Sequence, residues 1–157
     1  MSTAQQILDR YWDGKLPIDV KSLAKAMGAT IVAKPMAEES GSVEMQGGTP
    51  VIHFSSTESV VRQRFTIAHE IGHIALGHLD GAKKKFRDPA AHFSTGTSDP
   101  EEREANRFAA QLLMPRRIVE YALNEKNIRT VEGLASAFAV SQVAMKWRLV
   151  NLGLIRG

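Results

Sequence analysis

Apolar and polar residues alternate along this chain in two rhythms, and the change from one to the other predicts its elements. Ala4, Ile7, Leu8 and Tyr11 recur at helical spacing, predicting a helix from Ala4 to Asp13 that Gly14 stops. Asp19 is a suitable N-cap for a second helix, Val20 to Met27, which Gly28 closes. The rhythm then shortens. Ala29 to Ala33 reads as a strand through Thr30, Ile31 and Val32, and Pro35 ends it. Ser42 to Gln46 and Pro50 to Phe54 flank Gly47-Gly48-Thr49 and read as a hairpin, with the more uniformly apolar second arm expected to be the more central.

Helical spacing then returns. Ile67, Ala68, Ile71, Ile74 and Ala75 form an apolar stripe. Ser55-Ser56-Thr57-Glu58 has the form of a capping box, so this helix is expected from about Ser56 to Leu76, roughly 30 Å long, with Gly77 as its stop. Asp80 to Pro100 has no periodicity and reads as a long polar loop carrying a basic cluster, Lys83 to Arg87. Asp99 as N-cap and Pro100 at the first position restart a helix, with Ala105, Phe108, Ala109, Leu112 and Leu113 as its stripe and Met114-Pro115 as its end. A short helix, Arg116 to Leu123, follows. In the tail, Thr130 caps Val131 to Phe138, Ala139-Val140 turns the chain, and Ser141 caps Gln142 to Asn151, closed by Gly153. Strands gathered near the start, with helices elsewhere, predict an α+β fold. Residues 1–123 are expected to form the core, and residues 124–157 a helix-turn-helix-like extension packed on it.

Composition adds mostly exclusions. The 157 residues are 43% apolar, enough for a core, and the net charge of +3 permits an acidic partner without requiring one. With no cysteine, disulfides and thiolate ligands are excluded. No basic region followed by an apolar run opens the chain, and no apolar run reaches the roughly 18 residues of a membrane span, so a soluble cytoplasmic protein is expected.

The chemistry lies in the central helix, in His69-Glu70-Ile71-Gly72-His73. Histidines at i and i+4 share a helix face and can converge on one metal ion. Glu70 is swung about 100° round the helix, away from ligation but beside the metal, where it can take a proton from a water. Without the apolar stripe the motif would be short enough to arise by chance; with it, two imidazoles a turn apart border a core, which is costly unless they are paired. If this is a zinc protease, an edge strand beside the helix is the usual cradle for substrate, and the Val43 arm is one candidate.

A catalytic zinc needs a third protein ligand. His78 falls about 140° from His73 if the helix continues, and Leu76 and Leu79 stand where the metzincin pattern wants glycine and histidine. The Asp99-capped helix offers Glu101 and Glu102, each about 50° from the centre of its buried stripe, whereas Glu104 lies about 110° away and should face solvent. Glu102 has Asn106 one turn on, which could brace a ligating imidazole; Glu101 has no such companion and stands as the alternative. For the group that stabilises the oxyanion, His53, His92, Tyr121 and Arg64 are candidates, and the sequence singles out none of them.

Arg62 to His73, together with Glu102 to Pro115, resembles the ImmA/IrrE family of metallo-endopeptidases. Leu16-Pro17-Ile18-Asp19, the hairpin and Asn151 to Ile155 are similar in style, so the likeness is nearly full length. It implies a zincin-like core, a small antiparallel or mixed sheet packed on the His-Glu-x-x-His helix, with a helical C-terminal extension. It also implies zinc held at His69, His73 and Glu102, and cleavage of a helix-turn-helix repressor in a stress response, a mobile element or a toxin–antitoxin setting. Ser55 departs from the asparagine often found there in the family.

A reading of another class is a regulator that binds DNA, or sequesters a repressor, without proteolysis. Gln142, Lys146, Trp147 and Arg148 on the last helix would carry the DNA contact. Val143, Ala144 and Met145 dilute that face, and the net charge is low for a lone DNA binder.

Overall fold

A computed structural model of the chain describes residues 2–80, 85–89 and 99–157. Helix α1 (Thr3–Tyr11) starts at Ser2, whose hydroxyl accepts the Gln5 amide, and buries Ala4, Ile7 and Leu8. Helix α2 (Val20–Ala26) is capped by Asp19, whose carboxylate accepts the Ser22 amide. Both caps satisfy amides that the first helical turn leaves without partners.

Strands β1 (Thr30–Lys34), β2 (Glu39–Gln46), β3 (Thr49–Ser55) and β4 (Lys85–Pro89) form a four-stranded sheet in the order β1-β3-β2-β4. β1 runs parallel to β3, and β2 runs antiparallel to both its neighbours. Gly47 and Gly48, both at positive φ, turn the β2–β3 hairpin, a conformation that glycine adopts without steric cost. Val43 lies opposite Ile52 in the register, and both are fully buried.

Two expectations fail here. The Val43 arm is not an edge strand: β3 lies on one side of β2 and β4 on the other, so both hairpin arms are interior. The stretch from Asp80 to Pro100 is not all loop either, since Lys85–Pro89 pairs with β2 from Glu39 to Glu44. Lys83 and Lys84 of the basic cluster, and His92, lie outside the described residues.

Helix α3 (Val60–Ala75) begins four residues later than its sequence suggests, capped by Ser59 rather than Ser55. Ser55 is already committed to the sheet. It pairs with Lys34 of β1, and its hydroxyl meets that of Thr57 at 3.0 Å. Glu58 does not reach back to cap the helix; its carboxylate accepts the Ser40 hydroxyl at 3.0 Å. α3 is therefore about 24 Å long rather than 30 Å.

Helix α4 (Pro100–Leu113) starts where Asp99 and Pro100 predict, and Asp99 accepts the amides of Glu101 and Glu102. Its five stripe residues are all buried. Helix α5 (Arg116–Asn124), which has no side-chain cap, runs one residue past the expected Leu123, whereas α6 (Val131–Phe138) and α7 (Gln142–Asn151) have the bounds their Thr130 and Ser141 caps imply. Arg64 of α3 donates to the carbonyls of Ala139 and Phe138 at 3.1 and 3.3 Å, and Arg148 of α7 donates to Met114 at 2.9 Å. Burial holds both guanidinium groups below their ordinary pKa. Arg64 thus caps the carbonyl end of α6. No helix among the described residues is long and apolar enough to cross a membrane.

Candidate metal centre

The second half of α3 is enclosed on every side. All residues from Thr66 to His73 are buried, between α2, the sheet and α4. A helix takes such a position when its surroundings are apolar, yet this one carries His69, Glu70 and His73 inward, each at 0% exposure. One ligand atom from each of the three lies within 4.8 Å of the others.

Glu102 arrives from α4. Its two carboxylate oxygens meet both histidines, Oε2 at 3.2 Å from His69 Nε2 and Oε1 at 2.9 Å from His73 Nε2. The two imidazoles stand edge to face, their planes at 87°. Glu102 is buried, whereas Glu101 is only half-buried and its amide is taken up by Asp99. Of the two glutamates left open by the sequence, Glu102 is the one that meets the histidines.

These atoms suit a metal. Zinc–nitrogen bonds of about 2.0–2.1 Å in a tetrahedron put neighbouring donor atoms about 3.3 Å apart. The observed donor contacts of 2.9 and 3.2 Å are close to that edge. Two nitrogens and a carboxylate, with no cysteine in the chain, are a donor set that zinc accepts.

Two glycines allow the centre to assemble. A Cβ on Gly72 would sit 3.1 Å from Phe108 Cδ1 and 3.3 Å from the Ala105 Cα, so α3 and α4 approach closely one turn from Glu102. A Cβ on Gly41 of β2 would sit 2.9 Å from Glu70 Oε2 and 2.9 Å from the His53 carbonyl oxygen, and would run into the Thr66 methyl. The β2 backbone therefore forms the wall over the Glu70 carboxylate. The sequence did carry a signal for Gly41, since glycine inside a strand often marks a close approach.

Residues 24–150 match the family of IrrE N-terminal-like domains. The chain belongs to that family. No curated protein matches the chain closely enough to add to this assignment. The match covers all of α3 and α4, so this IrrE-like chain carries both halves of the centre within the shared region. The family is one of metallopeptidases, and the α+β architecture, with a small mixed sheet against the histidine-bearing helix, is consistent with the zincin-like fold expected of it.

The remaining predicted residues are placed as follows. Asn106 lies one turn beyond Glu102, half-buried, on the wall of a groove of about 530 Å³ between α3, α4 and α7. Arg64 is occupied at the end of α6. Tyr121 is half-exposed on α5 beneath the Lys126 ammonium. His53 lies on β3 opposite Ser42. The IrrE-like centre also contains a residue the sequence reading set aside, His78. It is buried with its Nδ1 2.9 Å from His73 Nδ1, and its Nε2 lies 3.3 Å from Glu104. Gly77 at the end of α3 was the available signal, since a glycine there turns the next residue back on the helix.

Proposed function

We propose that this chain is a zinc-dependent endopeptidase. The observation that carries the reading is the meeting of Glu102, from a second helix, with the Nε2 atoms of both His69 and His73. In this reading His69, His73 and Glu102 hold zinc, and Glu70 is the catalytic acid–base. Bound zinc supplies a water of lowered pKa and polarises the substrate carbonyl. Glu70 takes a proton from that water as the new C–O bond forms. It returns the proton to the amide nitrogen as the C–N bond breaks. Burial of Glu70 beneath β2 keeps bulk water from competing for that proton. Asn106, one turn along α4 from Glu102, is assigned to bracing a ligating imidazole, and residues 124–157 form an extension carried by the core.

The substrate we infer is a helix-turn-helix repressor met in the cytoplasm, whose cleavage lifts repression. The likeness of Arg62 to His73 and of Glu102 to Pro115 to the ImmA/IrrE metallo-endopeptidases is what suggests this substrate class. A DNA-reading role for α7 is less well supported: Arg148 is turned inward onto the Met114 carbonyl, and Met145 and Leu149 are buried. Only Gln142 and Lys146 among the polar candidates stay exposed beside Trp147.

The test is to incubate purified, zinc-loaded protein with a panel of helix-turn-helix repressors, reading cleavage by mass spectrometry and zinc by elemental analysis. The wild type should cleave at a defined bond. Glu70→Gln should keep its zinc while losing about 10²–10⁴-fold in rate. Zinc-loaded wild type that cleaves no repressor, but shifts or sequesters one intact, would replace this reading with the non-proteolytic one. A salt-dependent shift of DNA would favour the regulator.

A further inference from the structure

We infer that His78 and Glu104 are positioning residues that fix His73 in its metal-binding tautomer; this rests on the zinc reading above. α3 ends at Ala75, and Gly77 takes a left-handed conformation, φ +77°. The Gly77 amide donates to the Ile74 carbonyl at 3.2 Å, and the His78 amide donates to the His73 carbonyl at 2.9 Å. This pair of bonds reverses the chain and returns the residue after the glycine onto the last turn of the helix. His78 is carried back over His73, with ring centroids 5.1 Å apart.

Proton placement then follows from one requirement. A ring nitrogen that binds a metal must be unprotonated, so His73 with Nε2 facing Glu102 carries its proton on Nδ1. That proton points at His78 Nδ1, 2.9 Å away, which must therefore accept it. The neutral His78 ring then carries its own proton on Nε2, which donates to Glu104 Oε1 at 3.3 Å. Two of the other pairings set two N–H groups, or two lone pairs, against each other across the Nδ1–Nδ1 contact; the third, with His78 Nδ1 donating to His73 Nδ1, sets the lone pair of His78 Nε2 against the Glu104 carboxylate and places a proton on His73 Nε2, where the metal would bind. The chain Glu104, His78, His73 thus has one self-consistent arrangement of protons, and it leaves His73 Nε2 free of a proton. A carboxylate behind a ligating histidine is a common way of orienting the ring and raising its basicity. Here the carboxylate acts through a second imidazole, and it comes from the same helix that supplies Glu102.

The test compares the full-length wild type with His78→Phe, His78→Asn and Glu104→Ala. Zinc affinity is read by competition with a chromophoric chelator, the ligand field by the visible spectrum of the cobalt-substituted protein, and folding by the melting of the metal-free protein. His78→Phe fills the space but cannot accept a hydrogen bond, so zinc affinity should fall about 10- to 100-fold, with a changed cobalt spectrum. His78→Asn keeps an acceptor near the Nδ1 position and should recover affinity to within about threefold, with Glu104→Ala intermediate. A purely structural role would lower the melting temperature of the metal-free variants and leave affinity and spectrum alone. That outcome, or equal losses in His78→Phe and His78→Asn, overturns the inference. Wild type that takes up no zinc overturns the zinc reading itself, and this inference with it.

Discussion

Helices α3 and α4 contribute the two halves of one centre but are built on opposite plans. α4 is an ordinary amphipathic helix: one buried stripe, a capped acidic first turn and an exposed back. Its glutamates sit where acidic residues favour a helix start in any protein, so locally only Asn106, one turn beyond Glu102, separates Glu102 from Glu101. The second half of α3 is buried all round and still carries two histidines and a glutamate. Stability alone would have put apolar side chains there, because each buried polar group costs free energy unless it is paired. The contrast separates two kinds of evidence. In α3 the burial of polar groups itself points to chemistry. In α4 a functional carboxylate is recognised only by what it touches.

Substituting Glu102 tests that division most severely. Glu102→Ala should lower zinc affinity by more than the roughly 10- to 100-fold that loss of a merely supporting group costs. Glu101→Ala should stay within about twofold of the wild type, since its side chain serves only the helix start. Chelator competition on the two variants decides the matter, and equal losses would mean that α4 contributes a charge rather than a ligand.

Enclosure of α3 is the next point to break. Gly41→Ala places a methyl group against Thr66 and the Glu70 carboxylate, with the β2 backbone unable to retreat because strands pair on both sides. Overpacking of this kind costs about 1–3 kcal/mol. Denaturant melts should show that loss, together with a fall in cleavage rate larger than any fall in zinc affinity. The methyl group strikes Glu70, the acid–base of the proposed mechanism, and not the proposed ligands. A variant that cleaves like the wild type would show that β2 does not position Glu70.

How far these features could be read from the sequence depended on how local their causes are. The caps at Ser141, Thr130 and Asp99 act within one turn, and the helices they start were readable to within a residue. His69, Glu70 and His73 were readable because their spacing is the periodicity of the helix itself. Ser55 misled because the pattern around it is a good capping box, while its pairing with Lys34, distant in sequence, holds it in a strand. Strand β4 escaped notice for a related reason. Lys85-Phe86-Arg87-Asp88-Pro89 has no alternation, and only the open edge of β2 makes it a strand. His78 was lost by extending a helical wheel past Gly77, where the helix no longer exists. Each miss came from a contact, or a change of backbone direction, that the local pattern does not contain.

The close approach of the two helices allows a gentler test. Gly72→Ala gains about 0.5–1 kcal/mol in helix propensity. It also presses a methyl group to within 3.1 Å of Phe108 and 3.3 Å of Ala105, tighter than ordinary contact. The opposing effects are of similar size, so the melting temperature should change little. Metal binding should be more sensitive, because a shift of a few tenths of an ångström between α3 and α4 moves Glu102 away from both histidines at once. Zinc affinity is expected to fall several-fold at nearly constant stability. A parallel loss of both would mean that Gly72 serves general packing only.

The smallest expected effect comes from a carboxylate with no part in the centre. Asp19 caps α2, which packs against α3, and its carboxyl lies below its ordinary value of 3.8, chiefly through the Ser22 amide and then the Ser22 hydroxyl. A carboxyl group with a lowered pKa in the folded state adds stability that is fully present above the unfolded value and is lost as pH falls through the folded value. Asparagine caps a helix about as well as aspartate, so Asp19→Asn removes the charge and little else. For an exposed charge at a helix start the difference should be about 0.3–1 kcal/mol, reduced by salt. It should be constant from pH 7 to about 5 and close as pH drops below about 4. Zinc affinity should not change. If Asp19→Asn weakened zinc binding as Gly72→Ala is expected to, the enclosure of α3 would depend on charge at its periphery, and the separation between its buried chemistry and its supporting helices would not hold.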